Sequence, residues 1–450
     1  MKIYDTIIVG AGAAGLYCAA RLNRTGRGTA ACSTPSGAAP ASGVLLLEKT
    51  NQIGNKLLMS GAGQCNLTHG GSIKDFLTCY GDKGSRIRTT LYAHNNLAVC
   101  DFFASLSVTT VEREDGKIFP SSMDAHQVRD ALHDAAEKNG VQLQTGADVT
   151  AVRVSEDASG FLHYQVTDSL GRNWQCRNLV IATGGCSYPS TGSDGSIFQI
   201  LQRDLSMEIV QPVPALTPVF VENYPFAELS GISFQGVEVT ISEAPSSAAI
   251  KPDSGTQATV ASSKQPAPRG VIRVTGDLLL THRNLSGPVI LNHSRYMKTG
   301  TRLAINYVFP YTTDSILAQM KKEFPANHRT IEHWMAEKYA LPKRFCEVVV
   351  KETGVACRRV SALSGGDMKT LAAKLTADTY VISGLGSFRQ AMVTAGGVAL
   401  GEISLKTMES KKHPGLFFIG EVLDVDGDTG GYNLQFAFAS AAAAAKAICG

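Results

Sequence analysis

Two kinds of hydrophobic pattern divide this chain into regions. Near both ends, short apolar runs finish in glycine or an acidic residue, as buried strands of a parallel sheet do: residues 7–9, 44–47, 178–185 and 415–421. In the middle, runs separated by turns favour a small β-barrel or sandwich, at residues 219–221, 236–242 and 271–281. Helical spacing follows over residues 312–377. The pattern predicts parallel α/β structure near both chain ends and a β-rich region between them.

The first strand leads directly into a glycine motif and then into a helix-like segment at residues 16–24. Gly10 allows the tight turn, Gly12 lets the backbone approach a pyrophosphate, and Gly15 lets helix and strand pack closely. The helix N-terminus offers unpaired N–H groups and a partial positive charge to the phosphates. These residues predict dinucleotide binding, but they do not distinguish NAD from FAD.

The second strand, residues 44–47, ends at Glu48. A carboxylate at this place can accept hydrogen bonds from both ribose hydroxyls. The distance from Gly15 exceeds the usual ~20 residues. The segment 26–43, rich in Gly, Ala, Ser and Pro, accounts for the excess as a predicted flexible surface insertion. The alternative is a glutamate that merely ends a strand.

A glycine-rich loop follows at residues 55–69 and would let the backbone pass close to a bulky ligand. Cys65 within it could be redox-active beside a flavin, but a flavin disulfide reductase needs a second cysteine nearby. No other cysteine occurs between Cys32 and Cys79, which favours a structural role for Cys65.

Two later segments complete the expected cofactor site. A buried strand pattern closes in Ala-Thr-Gly-Gly at residues 182–185, and another ends at Gly420 and Glu421. A helix is predicted from 434 to 448, and its N-terminus suits the pyrimidine edge of a flavin, where negative charge collects on reduction. His282 is the best candidate for a catalytic acid or base, although a lone histidine is more often structural.

Composition narrows the class of protein. The 450 residues predict two or three domains. A net charge of +3 without a dense Lys/Arg block argues against a nucleic-acid partner. Ten cysteines without a CxxC pair predict a reduced cytoplasmic protein with no metal site. No apolar run is long enough to span a membrane. Residues 244–269 form a low-complexity excursion that we expect to be mobile.

With these motifs assembled, the chain resembles the BaiN-like flavoproteins, NAD(P)/FAD-dependent enzymes that are also called aminoacetone-oxidase-family FAD-binding proteins. The resemblance runs almost end to end and is most specific in the long motif at residues 420–434. Further matching stretches lie at residues 8–15, 58–66, 182–185, 285–288 and 394–398. Two positions depart from the family pattern, since Gln64 and Lys117 stand where it commonly has arginine.

The resemblance implies a Rossmann-type FAD-binding domain assembled from both chain ends, with an inserted β-barrel and a small helical subdomain. The expected division is 1–191 and 380–450 for the FAD-binding domain, 192–310 for the barrel and 311–379 for the helices. We expect FAD contacts from Gly10, Gly12, Ala13, Ala14, Gly15, Glu48, Lys49, Gly61, Cys65, Asn66, Val149, Thr183, Gly184, Gly185, Gly420, Glu421, Gly431, Tyr432, Asn433 and Leu434.

The function that the resemblance implies is an FAD-dependent oxidoreductase in which the flavin N5 relays a hydride. The substrate would be a small molecule, such as an oxo-steroid or bile-acid-like compound reduced at a C=C bond. NADH or NADPH would be a transient donor, because no second GxGxxG follows a strand. The alternatives are an FAD-dependent oxidase of a small amine and a non-catalytic flavin-binding or electron-transfer protein. The sequence does not predict the oligomeric state.

Overall fold

The computed structural model describes residues 3–22, 43–156, 162–243, 270–356 and 358–450. Most of the predicted insertion at 26–43, and all of the excursion at 244–269, lie outside these residues. The helices and strands in chain order are β1 Ile3–Val9, α1 Ala13–Arg21, β2 Val44–Leu47, α2 Asn55–Met59, β3 Thr68–His69, α3 Ile73–Phe76, α4 Arg88–Ala93, α5 Asn96–Ser105, β4 Thr110–Glu112, β5 Lys117–Pro120, α6 Ala125–Lys138, β6 Gln142–Gln144, β7 Val149–Glu156, β8 Leu162–Asp168, β9 Asn173–Ile181, α7 Ser196–Leu205, β10 Ile209–Ala215, β11 Val219–Val221, β12 Ser233–Ser242, β13 Val271–Leu280, β14 Leu285–Ser286, α8 Pro288–Leu291, β15 Arg302–Asn306, α9 Thr313–Glu323, α10 Ile331–Tyr339, α11 Lys343–Glu352, α12 Gly365–Thr376, β16 Asp378–Leu385, β17 Val393–Val398, β18 Leu416–Phe418 and α13 Tyr432–Cys449.

The chain forms two compact units. The first contains residues 1–215 and 387–450, and the second contains residues 216–386. Strand β10 belongs to the first unit, where it pairs with β17 from the C-terminal segment. The domain boundaries predicted at residues 191, 310 and 379 stay predictions, whereas the compact units divide at 215 and 386.

The first unit is built on a sheet in the order β6-β2-β1-β9-β8-β7, with β18 also paired to β9. Strands β2, β1, β9 and β18 run parallel, and each is almost wholly apolar where it is buried. Helix α1 packs against α6 and against α13 from the other chain end. The Rossmann-type domain made from both chain ends is therefore confirmed.

The second unit contains a closed barrel in the order β11-β14-β13-β12-β15-β16 and the helices α9 to α12. Alternate residues of the long strand β12 are buried, as expected for a strand with one face on a core. This core also takes in residues of α9 to α12, including Trp334, Phe345 and Leu371. The predicted β-barrel with a small helical part is confirmed.

Several local predictions need correction. Helix α1 begins at Ala13 and α13 begins at Tyr432, each earlier than the apolar periodicity indicated. Each helix begins directly after a glycine, so its first turn contains residues that precede the first large aliphatic side chain, Leu16 or Leu434. The sequence favours Ser286, a residue type that caps helices well, as the N-cap of α8, whereas Gly287 takes this position in the structure. Among the described residues, no helix is both long enough and apolar enough to cross a membrane.

Candidate FAD site

The predicted site residues of the first unit gather at one edge of the parallel sheet. Register pairs Val9 with Leu47 and with Ile181, and pairs Ile181 with Phe418, so the four strands end together. The residues that follow these ends are the glycine turn, Glu48, the Ala-Thr-Gly-Gly segment and the Gly-Glu pair. Ligands of open α/β sheets bind at this carboxyl edge.

The glycine turn is closely packed on one side and open on the other. A Cβ on Gly10 would lie 2.5 Å from the Ala182 carbonyl oxygen, and one on Gly15 would lie 1.9 Å from the Gly10 oxygen. Gly10 also has a φ of +104°, which disfavours a side chain. In contrast, a Cβ on Gly12 would have no heavy atom within 4 Å. No side chain caps the N-terminus of α1 at Gly12, so the turn leaves room and free N–H groups for an anion.

Glu48 is held in place by the backbone on both sides. The Ala11 N–H donates to its Oε2 atom at 2.8 Å, and the Thr50 N–H and hydroxyl donate to Oε1 at 2.9 and 2.8 Å. Because each carboxylate oxygen offers two lone pairs, Oε2 can still accept a ribose hydroxyl. The neighbouring Lys49 instead pairs with Asp194 at 2.7 Å and with Asp148 at 3.2 Å.

The loop after α2 has an unusual backbone that fits close approach to a ligand. Gly61 and Cys65 have φ values of +56° and +60°. The Cys65 side chain is fully buried, and burial raises the pKa of its thiol to about 12, which agrees with the structural role expected for it. The Asn66 Oδ1 atom is buried without a hydrogen-bond partner. Arg113 donates to the Gln64 amide oxygen at 2.8 Å, so an arginine does lie at this loop.

The Ala-Thr-Gly-Gly segment also contains an unsatisfied polar atom, the buried hydroxyl oxygen of Thr183. A Cβ on Gly184 would lie 2.7 Å from the Ser193 hydroxyl, and one on Gly185 would lie 2.4 Å from the Thr394 hydroxyl. Both glycines therefore let later segments pack against the end of β9.

The C-terminal motif brings Gly420 and the start of α13 to the same region. Gly420 packs against α1, since a Cβ there would be 2.8 Å from the Ala14 Cβ. Gly431 is the N-cap of α13, has a φ of +98° and carries no side-chain cap. Tyr432 stacks on His69 with 5.3 Å between ring centroids, while Asn433 and Gly427 exchange two hydrogen bonds of 2.8 Å. Leu434 packs against the core of the first unit.

Sequence reasoning missed several charged partners in this region. Lys56 pairs with Glu421, and Lys83 pairs with Asp424, in both cases with 2.5 Å from nitrogen to oxygen. The Ser187 hydroxyl also donates to Glu421. No local pattern indicated these pairs, because each partner lies more than 300 residues away.

Of two further predicted residues, Val149 lies beside the Glu48 end of this grouping and His282 lies apart from it. Val149 begins β7 directly after Asp148, which pairs with Lys49 at 3.2 Å, and the Ala147 N–H donates to the Glu48 carbonyl oxygen at 2.8 Å. His282 is an exposed residue in a turn of the second unit. The roles predicted for Val149, for His282 and for the cofactor contacts stay predictions.

The residues present fit an FAD. Two buried oxygen atoms lack partners, at Asn66 and Thr183, and two helices begin at uncapped glycines, Gly12 and Gly431. Buried polar groups normally have partners, so a polar ligand explains these atoms. A parallel sheet with this glycine turn and this edge defines a dinucleotide-binding protein of the Rossmann type.

The chain belongs to the HI0933-like family, because the HI0933-like protein Rossmann domain matches residues 4–447. It is 30% identical to the ribosomal RNA dihydrouridine synthase of Escherichia coli strain K12, over 99% of this chain and 98% of that protein. The Haemophilus influenzae protein of the same name is also 30% identical with the same coverage. The 3-dehydro-bile acid delta(4,6)-reductase of Clostridium scindens is 28% identical over 90% of this chain and 92% of that protein. The predicted resemblance to BaiN-like flavoproteins is confirmed.

Proposed function

We propose that this protein uses FAD to reduce a C=C bond conjugated with a carbonyl group, with NADH or NADPH as the electron donor. The main support for the proposal is the reaction that the names of the relatives have in common, which is the addition of hydrogen across a C=C bond. A uracil becomes a dihydrouracil when hydrogen adds across its C5=C6 bond, which is conjugated with the C4 carbonyl. A delta(4,6)-reductase acts on C=C bonds conjugated with the 3-oxo group of a 3-dehydro-bile acid.

Bound FAD would supply the hydride for this reaction. The chain's own residues would hold the cofactor from both of its halves. The turn at Gly12 offers backbone N–H groups to the pyrophosphate, and Glu48 offers a free lone pair to the adenosine ribose. The uncapped start of α13 at Gly431 offers N–H groups and a partial positive charge where the reduced flavin gains negative charge.

Of the two substrate classes, we favour a uracil base in ribosomal RNA. The dihydrouridine synthases match 99% of this chain at 30% identity, against 90% at 28% for the bile-acid reductase. This choice departs from the expectation of a small-molecule substrate and no nucleic-acid partner. Residues 216–386 carry more Lys and Arg than Asp and Glu, which is compatible with binding to a phosphate backbone.

An oxo-steroid remains the second candidate, supported by the similarity to the Clostridium scindens reductase. The reaction is the same and the substrate differs, so one assay format can compare the two.

The experiment begins with the purified holoprotein under anaerobic conditions. Bleaching of the flavin absorbance by NADH or NADPH would identify the donor, and failure of both would count against the proposal. The reduced protein is then mixed separately with an unmodified ribosomal RNA transcript and with a 3-oxo-Δ4 steroid. Mass spectrometry should find a gain of two hydrogens in uridine, and none in the steroid if our preference is correct.

Glu48→Gln is a variant of nearly the same shape that tests the contact with the ribose. It keeps the shape of the side chain but removes the charge that favours ribose hydroxyl donors, so it should retain less FAD and lose product formation in proportion. If neither substrate gains hydrogen and the reduced flavin is rapidly reoxidised only by air, the amine oxidase alternative is favoured.

A further inference from the structure

Lys56 and Glu421 form an ion pair at the carboxyl edge of the sheet. The Lys56 Nζ atom donates to Glu421 Oε2 and to the Ser187 hydroxyl, each at 2.5 Å. Glu421 Oε1 accepts from the Ser187 hydroxyl at 2.8 Å and from the Thr394 N–H at 2.9 Å. The two charged side chains are only 24% and 19% exposed. Such a network fixes both charges in place.

The position of this pair relates it to one half of the expected cofactor. Glu421 follows β18, which lies on the far side of β9 from β1, whereas Glu48 follows β2 on the opposite side of β1. A dinucleotide that crosses the glycine turn with its ribose at Glu48 therefore extends toward β9 and β18 with its other half. Gly185 lies beside Glu421, since a Cβ there would be 3.1 Å from Oε1. The pair is thus on the flavin side of the turn.

We propose that Lys56 and Glu421 together set the reduction potential of the bound flavin. Hydride uptake places two electrons and one proton on the flavin and leaves it with additional negative charge. A fixed cation nearby favours this change, and a fixed anion opposes it. In the pair these two effects on the reduction potential oppose each other. The positive charge of Lys56 offsets the tendency of Glu421 to lower the potential.

The partial burial of the pair makes these effects measurable. Charges that are shielded from water interact more strongly than surface charges and are screened less by salt. Removing one partner leaves the other uncompensated, so single substitutions should shift the potential in opposite directions.

The test measures the midpoint potential of the flavin by anaerobic titration against a reference dye. Lys56→Met should lower the potential, so that the ratio of reduced to oxidised flavin falls at least tenfold at a given solution potential, about 30 mV for a two-electron couple. Glu421→Gln should raise the ratio by a similar factor. Lys56→Arg keeps the charge and should restore a potential close to that of the unmodified protein.

Lys412→Met is the matched control. Lys412 also pairs with a shielded glutamate, Glu402, at 2.7 Å. It precedes β18 and so lies toward the opposite edge of the same sheet. This variant should leave the potential unchanged.

Equal shifts in one direction for Lys56→Met and Glu421→Gln would overturn the proposal, because they would indicate a general disturbance of packing. No shift in either variant would also overturn it. If a variant loses FAD, thermal unfolding of the apoprotein shows whether it folds, and the potential is then measured with FAD in excess. The inference depends on FAD binding but not on the substrate, so it can fail while C=C reduction stands, and the reverse.

Discussion

Protonation of His94 should destabilise the first unit in mild acid. The residue is 7% exposed, and its Nε2 atom lies 2.7 Å from the Tyr17 hydroxyl oxygen. Its backbone carbonyl accepts a 2.9 Å hydrogen bond from Gln435, which lies in the first turns of α13. Burial, followed by the nearby charge of Arg21, lowers the pKa of His94 from 6.5 to about 4.

The size and sign of the effect follow from this pKa. The fold favours neutral His94, so the unfolded chain takes up the proton first as the pH falls. Stability is full above pH 6.5 and is lost progressively until about pH 4. At about 1.4 kcal/mol per pH unit, the total loss is on the order of 3 kcal/mol.

The assay is urea unfolding of the apoprotein at several pH values between 6.5 and 4.5. A Trp334→Phe background leaves Trp174, on β9 of the first unit, as the only tryptophan and gives a local fluorescence signal. His94→Gln keeps a polar side chain but cannot be protonated. The parent protein should lose stability more steeply than this variant, by about 1.4 kcal/mol per pH unit. His133→Gln, at a more exposed histidine on α6, serves as the matched control and should follow the parent.

Parallel pH profiles for the parent and His94→Gln would refute the reasoning, since they would mean that His94 has the same pKa in both states. A steeper profile for the variant would refute the sign.

Three further predictions concern two glycines of the turn and a buried charge. Gly15→Ala should destabilise the apoprotein by several kcal/mol, because its Cβ would meet the Gly10 oxygen at 1.9 Å. Gly12→Ala should change apoprotein stability by no more than about 0.5 kcal/mol but weaken FAD binding, which equilibrium dialysis would measure. Asp378→Asn should destabilise the second unit by about 3 kcal/mol, because it removes the negative charge that Lys374 contacts at 2.8 Å and leaves the charge of this largely buried lysine uncompensated; thermal unfolding tests this. Equal FAD affinity for Gly12→Ala and the parent, or an unchanged melting temperature for Asp378→Asn, would contradict these expectations.

Much of the fold could be predicted from local patterns. The strand, glycine turn and helix at the start of the chain involve neighbours within about 20 residues, so periodicity and glycine spacing reveal them. The barrel was predictable because its strands are separated by turns that the sequence marks. The starts of α1 and α13 were placed late, because glycines in positive-φ or extended geometry begin these helices before the apolar repeat does.

The candidate site was only partly predictable. Glu48 and Glu421 were identified because each follows an apolar strand, and strand ends gather at one edge. Lys56 was not identified, since its partner is separated from it by 365 positions and helical spacing does not specify a long-range contact.

The sequence by itself determined the class of fold and the FAD-binding family, because both depend on short motifs whose geometry is local. Only the tertiary structure decided which charges meet. The register of β1, β2, β9 and β18 brings distant strand ends to one edge. Side chains at this edge pair with residues that are near in space, whatever their separation along the chain. A buried charge that lacks a partner is destabilising, so the fold has to supply one.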